Sequence, residues 1–80
     1  MLVDQYMKQE NMTIVEFADL IGVHSMTIYR YFKDKKGIHK HTALLIEDYT
    51  NGEVSRVEAM FPEMFAHLYP NSRFYKLYCT

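Results

Sequence analysis

The chain has 80 residues, of which 49% are hydrophobic and 15% aromatic, and its formal net charge is −1. These values favour one folded domain over a disordered segment, and they exclude a membrane span, because no apolar run approaches the roughly 20 residues that one needs. No basic stretch followed by an apolar one suggests export, and the single cysteine, Cys79, cannot form an internal disulfide, so a cytoplasmic protein is the simplest expectation.

Two short helices are predicted at the start of the chain. The first runs over residues 2–10 and ends at Asn11, a residue type that tolerates the left-handed backbone at a helix end. Its apolar residues are spaced to share one buried side: Leu2, Val3, Tyr6 and Met7. Thr13 and Glu16 then form a capping-box pattern that opens a second helix. The apolar residues of this second helix recur at i, i+3, i+4 and i+7: Ile14, Phe17, Ala18 and Ile21.

A glycine corner and a two-sided helix follow. Gly22 predicts the end of the second helix, Val23 fills the corner, and His24 takes the next N-cap position with help from Ser25. In the third helix one set of residues is spaced to face inward: Ile28, Tyr31 and Phe32. The opposite side carries a different set: Met26, Tyr29, Arg30 and Lys33. This order predicts a helix-turn-helix, which places its second helix in the major groove of DNA.

The charge is unevenly distributed along the chain. Residues 1–23 and 42–63 carry net charges of −3 and −4, whereas residues 24–41 are strongly positive. Asp34 is the one acidic residue of this middle segment, which contains five basic residues: Arg30, Lys33, Lys35, Lys36 and Lys40. A phosphate backbone responds to the local field more than to the total charge, although such a segment can also be merely a solvated surface.

The second half of the chain predicts two more helices and an aromatic tail. Residues 33–37 form a cationic loop, and residues 50–53 form a turn between a helix over 40–49 and a short helix that Ser55 caps and that ends at Phe61. The core candidates of the fourth helix are Ala43, Leu44, Ile46 and Tyr49. Those of the fifth are Val54, Val57 and either Met60 or Phe61.

Pro62 stops the fifth helix or starts a final turn, and we predict that residues 1–63 form the domain and residues 64–80 an extension. Residues 64–69 suit one or two helical turns, and residues 74–78 are β-prone and predict either a short strand or a helical tail. A lone strand needs a partner for its edge. We therefore predict a dimer contact rather than a frayed end at four residues: Phe74, Tyr75, Leu77 and Tyr78.

These residues resemble the small Cro-like members of the phage-repressor (XRE) helix-turn-helix superfamily. The resemblance covers residues 2–62 and rests on these matches: Tyr6-Met7-Lys8, Thr13, Ala18 with Gly22-Val23, Arg30-Tyr31, Lys35-Lys36, Ala43-Leu44 with Ile46-Glu47, and Thr50-Asn51-Gly52-Glu53-Val54. It departs from the family at His24, where serine or threonine is usual, at Asp34, where glycine is frequent, and in lacking prolines in the following loop. TetR-type regulators share part of the corner but need a long effector domain, for which 80 residues leave no room.

The resemblance implies an all-α, compact five-helix lambda-repressor-like domain that binds operator DNA as a phage or prophage repressor. The residues expected to read bases are Ser25, Met26, Tyr29 and Arg30. Arg30 suits a guanine edge, with a phosphate as the alternative. The residues expected to bind phosphates, together with backbone N–H groups at the start of the second helix, are Thr13, Thr27, Lys33, Lys35 and Lys36. A homodimer on half-sites about 34 Å apart is the expected working unit.

Other classes of function have weaker support in the sequence. His39 and His41 stand at i, i+2, and together with His24, His67 and Cys79 they match no common metal-ligand spacing. Neither a glycine-rich phosphate loop nor a nucleophile with an oriented base is present, so we expect no enzyme, no metal and no cofactor. The competing hypothesis is a protein-interaction module, such as an antitoxin-like or phage anti-host factor. The acidic segments 1–23 and 42–63 leave that hypothesis open.

Overall fold

Within residues 1–79, which the computed structural model describes, the chain forms six α-helices and two short 3₁₀ turns. The α-helices are α1 (Val3–Gln9), α2 (Ile14–Ile21), α3 (Ser25–Lys33), α4 (Lys40–Tyr49), α5 (Arg56–Met60) and α6 (Arg73–Tyr78). The 3₁₀ turns, Pro62–Met64 and Ala66–Leu68, connect α5 to α6. The predicted all-helical, lambda-repressor-like class is confirmed. The bounds predicted for α4 are those observed.

The first two helices are set by the local signals expected from the sequence. Asn11 has φ of 56°, so that it closes α1 in the left-handed conformation. At the start of α2 the Glu16 N–H donates to the Thr13 hydroxyl at 3.1 Å, and the Thr13 N–H donates to the Glu16 carboxylate at 3.0 Å. The predicted capping box is therefore present, and it fixes where α2 begins.

The corner between α2 and α3 depends on a left-handed glycine. Gly22 has φ of 80°, and the Val23 N–H after it donates to the Ala18 carbonyl at 2.9 Å. The imidazole of His24 then accepts the Met26 N–H through Nδ1 at 3.1 Å. Histidine thus caps α3 directly.

The core is formed by apolar residues from every helix. Its fully buried members include Val3, Phe17, Ile28, Tyr31, Ile46, Ala59 and Phe74. The Tyr31 hydroxyl donates to the Ala59 carbonyl at 2.7 Å, which satisfies the one polar atom that this side chain carries into the interior. The helix pair α2–α3 therefore rests on α4, α5 and α6 as a single packed unit.

Two predicted core positions are wrong. Leu44 and Val57 are 36% and 45% exposed, whereas Thr42 and Ala59 are buried in the same helices. Thr50 is buried as well, because its hydroxyl donates to the Ile46 carbonyl at 2.8 Å and accepts the Val54 N–H at 3.1 Å. These bonds join the end of α4 to the residue before the cap of α5, so that a threonine takes a buried place in the turn.

Of the two predicted alternatives for the end of the tail, the helical one is confirmed and the short strand is wrong, because residues 73–78 form a helix. Ser72 caps α6 by accepting the Phe74 N–H at 3.1 Å, and its own hydroxyl donates to the Asp4 carboxylate at 2.9 Å. The Phe74 ring lies 4.9 Å from the Tyr31 ring and 5.4 Å from the Phe32 ring, measured between centroids. The N–H groups at the start of α6 are bound by Asp4 and Ser72 and later ones by helical bonds, so the tail needs no strand partner. The predicted extension packs into the domain; its last residue, 80, lies outside the described residues.

Candidate nucleic-acid interface

The predicted separation of the two faces of α3 is confirmed. Tyr31 and Phe32 lie in the core on one side. On the other side Met26 and Tyr29 are 44% and 45% exposed, and Arg30 and Lys33 are exposed beside them. A helix that presents thioether, phenol and cationic groups to solvent can offer both apolar contacts and hydrogen bonds to base edges.

The N-terminal end of α3 is organised by His24. Because Nδ1 of the imidazole accepts the Met26 N–H, the neutral ring carries its proton on Nε2. The Ser25 hydroxyl makes no hydrogen bond in the described part of the chain. The residue predicted to share the cap is therefore left free for another partner.

Tyr29 and Lys33 form a pair one helical turn apart. The Lys33 ammonium lies 5.5 Å from the centroid of the Tyr29 ring, a distance at which a cation and a π-face attract each other. The contact places the cation along the exposed edge of α3. An exposed ammonium at this position suits a phosphate contact.

A groove of about 520 Å³ brings several predicted site residues together. It lies between α3 and the loop after it and is lined by Thr27, Arg30, Asp34, Lys36, Gly37, Ile38 and His39. No salt bridge involves Arg30 or Lys36 among residues 1–79, although Asp34 contributes one opposing charge to the groove. The guanidinium donors of Arg30 are therefore available to a ligand.

Two predicted phosphate-binding residues lie elsewhere. The Lys35 ammonium lies 6.0 Å from the Tyr78 ring of α6, so that this lysine extends toward the tail. Thr13 lies at the start of α2, where its hydroxyl is engaged in the capping box. Thr13 lines a second groove, of about 610 Å³, together with Lys8, Phe32 and Arg73.

Arg73 is the residue that the sequence reading missed. Its guanidinium carbon lies 5.4 Å from the centroid of the Phe32 ring, which places a cation of the tail next to α3. The only local signal was a serine cap before a short helix. The position itself depends on Asp4, 69 residues away in the chain, which accepts the Arg73 N–H at 2.8 Å.

The four residues predicted for a dimer contact differ in how far their side chains are exposed to solvent. Phe74 is fully buried within the chain, so its side chain has no surface to offer a second copy. Tyr75, Leu77 and Tyr78 keep part of their surface, and the dimer prediction stays with these three. Other exposed apolar side chains lie along the segment from α5 to the second 3₁₀ turn: Val57 and Phe61, which were predicted as core candidates, and Met64 and Leu68.

Neither a metal cluster nor a membrane span is found in the described residues. Within residues 1–79 no three His, Cys, Asp or Glu side chains are grouped so as to hold a metal ion. None of the helices in this range is long and apolar enough to cross a bilayer.

Comparison with known protein families gives a match to most of the chain. A model of a helix-turn-helix family matches residues 3–57, a stretch that extends from α1 to the first residues of α5. No curated protein and no solved structure shows a significant match to the chain. The match includes the corner at Gly22 and all of α3, and it ends before the 3₁₀ turns and α6.

Proposed function

The chain belongs to the XRE-type helix-turn-helix family of DNA-binding regulators, and we propose that it is a sequence-specific repressor of the Cro-like phage or prophage kind. The observation that carries this proposal is the exposed face of α3. Apolar, aromatic and cationic side chains stand there together, unpaired with carboxylates in the described part of the chain. A surface of that composition suits a partner that offers both base edges and negative charge.

In the proposed complex α3 enters the major groove with its N-terminal turn nearest the bases. Ser25 and Met26 then meet base edges first, and the Met26 side chain suits the methyl group of thymine. Arg30 reads guanine through O6 and N7, a bidentate contact worth about 1–3 kcal/mol of discrimination. Tyr29 borders this set and either packs against a base or donates to a phosphate.

The phosphate contacts come from both sides of α3. Thr27 and Lys36 line the groove beside Arg30, and Lys33 extends along the edge of α3 past Tyr29. Lys35 adds a cation toward α6. The start of α2 offers backbone N–H groups to a phosphate, with Thr13 in a secondary role because its hydroxyl already caps the helix.

The proposed working unit is a homodimer on two half-sites, because a single α3 reads only one. The tail residues Tyr75, Leu77 and Tyr78 remain the predicted contact. The exposed apolar residues around Phe61 offer a second surface for the same purpose.

Selection of bound sequences from a random pool of double-stranded DNA tests the proposal. We expect enrichment of a short inverted repeat whose half-sites lie about one helical turn apart. Affinity for the selected site should fall steeply as salt rises, because several phosphates are neutralised. A pool that shows no enrichment and no salt-sensitive complex contradicts the proposal.

A second candidate function is a protein-interaction module on the same scaffold. The exposed apolar side chains of Val57, Phe61, Met64 and Leu68 favour it, because a protein partner would remove them from water. A complex held by such contacts depends weakly on salt, whereas a DNA complex depends on it strongly. Salt titration of whichever complex forms therefore separates the two functions.

A further inference from the structure

We propose that Arg73 binds a phosphate of the operator backbone, so that the C-terminal helix α6 extends the DNA-binding surface beyond the helix-turn-helix. The inference rests on the proposed function, since it adds a contact to that same complex. Arg73 lies outside the region that the helix-turn-helix family model matches, which ends at residue 57.

The position of Arg73 is fixed by α1. The two oxygens of the Asp4 carboxylate accept the Ser72 hydroxyl at 2.9 Å and the Arg73 N–H at 2.8 Å. Charge-assisted bonds of this kind are stronger than neutral ones, so they hold the first turn of α6 against α1. The burial of Phe74 in the next position keeps the helix from rotating.

The side chain of Arg73 is positioned by α3. Its guanidinium lies over the ring of Phe32, at 5.4 Å from the centroid. An arginine stacked on an aromatic face keeps its N–H donors at the edge of the plane, where they remain free to bind. No salt bridge engages this guanidinium within residues 1–79.

The surroundings of Arg73 point to DNA as the ligand. The groove that it lines also contains Lys8, together with Thr13 at the start of α2. In a docked helix-turn-helix the helix that precedes the recognition helix crosses the DNA backbone. Arg73 therefore stands where a phosphate passes. Asp4 is the one carboxylate in the lining of this groove, and both of its oxygens are occupied by Ser72 and the Arg73 N–H.

A phosphate contact differs from a purely structural role in its salt dependence. Loss of one phosphate contact lowers the slope of log affinity against log salt by about 0.9. Between two salt concentrations that differ fourfold, the loss of affinity should then be about 3.5-fold smaller. A side chain that only packs on Phe32 would not change this slope.

The experiment compares full-length Arg73→Gln with Arg73→Lys on the selected operator and on unrelated DNA. The Gln variant should bind every sequence severalfold more weakly and with the smaller slope, and the Lys variant should keep the slope of the wild type. Arg56→Gln is the matched control, because it removes the same charge from α5, in the acidic segment where its N–H donates to Glu47 at 3.0 Å. Each titration is run well below the melting temperature of the variant, so that only folded protein is measured.

The outcomes separate this inference from the proposed function. If the wild type binds with a steep slope and Arg73→Gln has the same slope, the Arg73 contact is overturned while the repressor proposal stands. An equal change of slope in Arg56→Gln also overturns it, since the effect would then come from net charge alone. If the wild type forms no salt-sensitive DNA complex, both proposals fail together.

Discussion

The Tyr31 hydroxyl donates to the Ala59 carbonyl at 2.7 Å, and this single bond joins the inner face of α3 to α5 inside the core. Burial raises the pKa of Tyr31 well above its ordinary value, with a smaller contribution from the charge of Asp4, so that the phenol stays protonated and able to donate. The buried face of α3 is thus fixed by a polar contact as well as by packing, and this fixes the orientation of the exposed face.

Replacement of Tyr31 by phenylalanine tests the energetic weight of that bond. Tyr31→Phe should lower the free energy of unfolding by about 1–3 kcal/mol, because the Ala59 carbonyl loses its donor in a buried place. Chemical denaturation measures the change. Tyr29→Phe is the matched control on the exposed side of the same helix and should stay within about 0.5 kcal/mol of the wild type. Equal effects of the two variants would mean that the hydroxyl of Tyr31 contributes little.

The corner glycine gives a second prediction. Gly22→Ala should destabilise the fold by about 1–2 kcal/mol, because alanine is strained at the φ of 80° that the corner requires. A Cβ at this position would meet nothing within 4 Å, so the cost is conformational rather than steric. Gly22→Asn should recover part of it, since asparagine tolerates the left-handed region. Melting temperatures of the three proteins test this. An alanine variant as stable as the wild type would contradict the requirement for a left-handed residue at position 22.

The tail residue Phe74 gives a third prediction. Phe74→Ala should lower the free energy of unfolding by about 3–5 kcal/mol, the range for truncation of a buried aromatic side chain. Denaturation of this variant can be compared with Tyr75→Ala, a neighbour that is only half-buried. A Phe74→Ala protein that loses no more stability than Tyr75→Ala would show that α6 is an appendage and not part of the core.

The pH dependence of stability gives a fourth prediction, which concerns Glu58. Burial acts to raise the pKa of Glu58, but hydrogen bonds from the Ser55 N–H and the Met1 amine, at 3.1 and 3.0 Å, bring it below the ordinary 4.5. A carboxyl group whose pKa is lower in the folded state stabilises the fold at pH values above its unfolded-state pKa. This stabilisation is lost as the pH falls through the folded-state pKa.

Glu58→Gln should therefore lose stability at neutral pH and show a shallower decline below about pH 4.5. Ser55→Ala should change the acid profile less, because the Ser55 backbone N–H remains as a donor to the carboxylate. Unfolding free energies measured across the acid range test this, and identical slopes for Glu58→Gln and the wild type would refute it.

The parts of the fold that could be predicted are those that depend on near neighbours in the chain. Thr13 and Glu16 are three residues apart, and Gly22 determines its own backbone conformation, so both signals can be recognised without any tertiary structure. The two faces of α3 are likewise separated by helical spacing alone. The base-reading roles of Ser25, Met26, Tyr29 and Arg30 come from the resemblance to the Cro-like family, and they stay predictions that a DNA-binding measurement tests.

The parts that could not be predicted depend on contacts between distant residues. The β-prone composition of residues 74–78 was outweighed by the Ser72 cap, by the bonds to Asp4 and by the place that α3 leaves for Phe74. Strand propensity measures how well a side chain fits a half-buried surface, and here a helix offers that surface. Arg73 was missed for the same reason, because its position follows from Asp4 and Phe32.

The central claim is that Arg30 on α3 reads a base while the lysines after α3 hold phosphates. The direct measurement is the affinity of Arg30→Ala and Lys35→Ala for the selected operator and for operators changed at one base pair at a time. We predict that Arg30→Ala loses discrimination at one base pair, by about 1–3 kcal/mol, whereas Lys35→Ala weakens every sequence alike. Equal loss on all sequences for both variants would contradict the claim and would make Arg30 another phosphate contact.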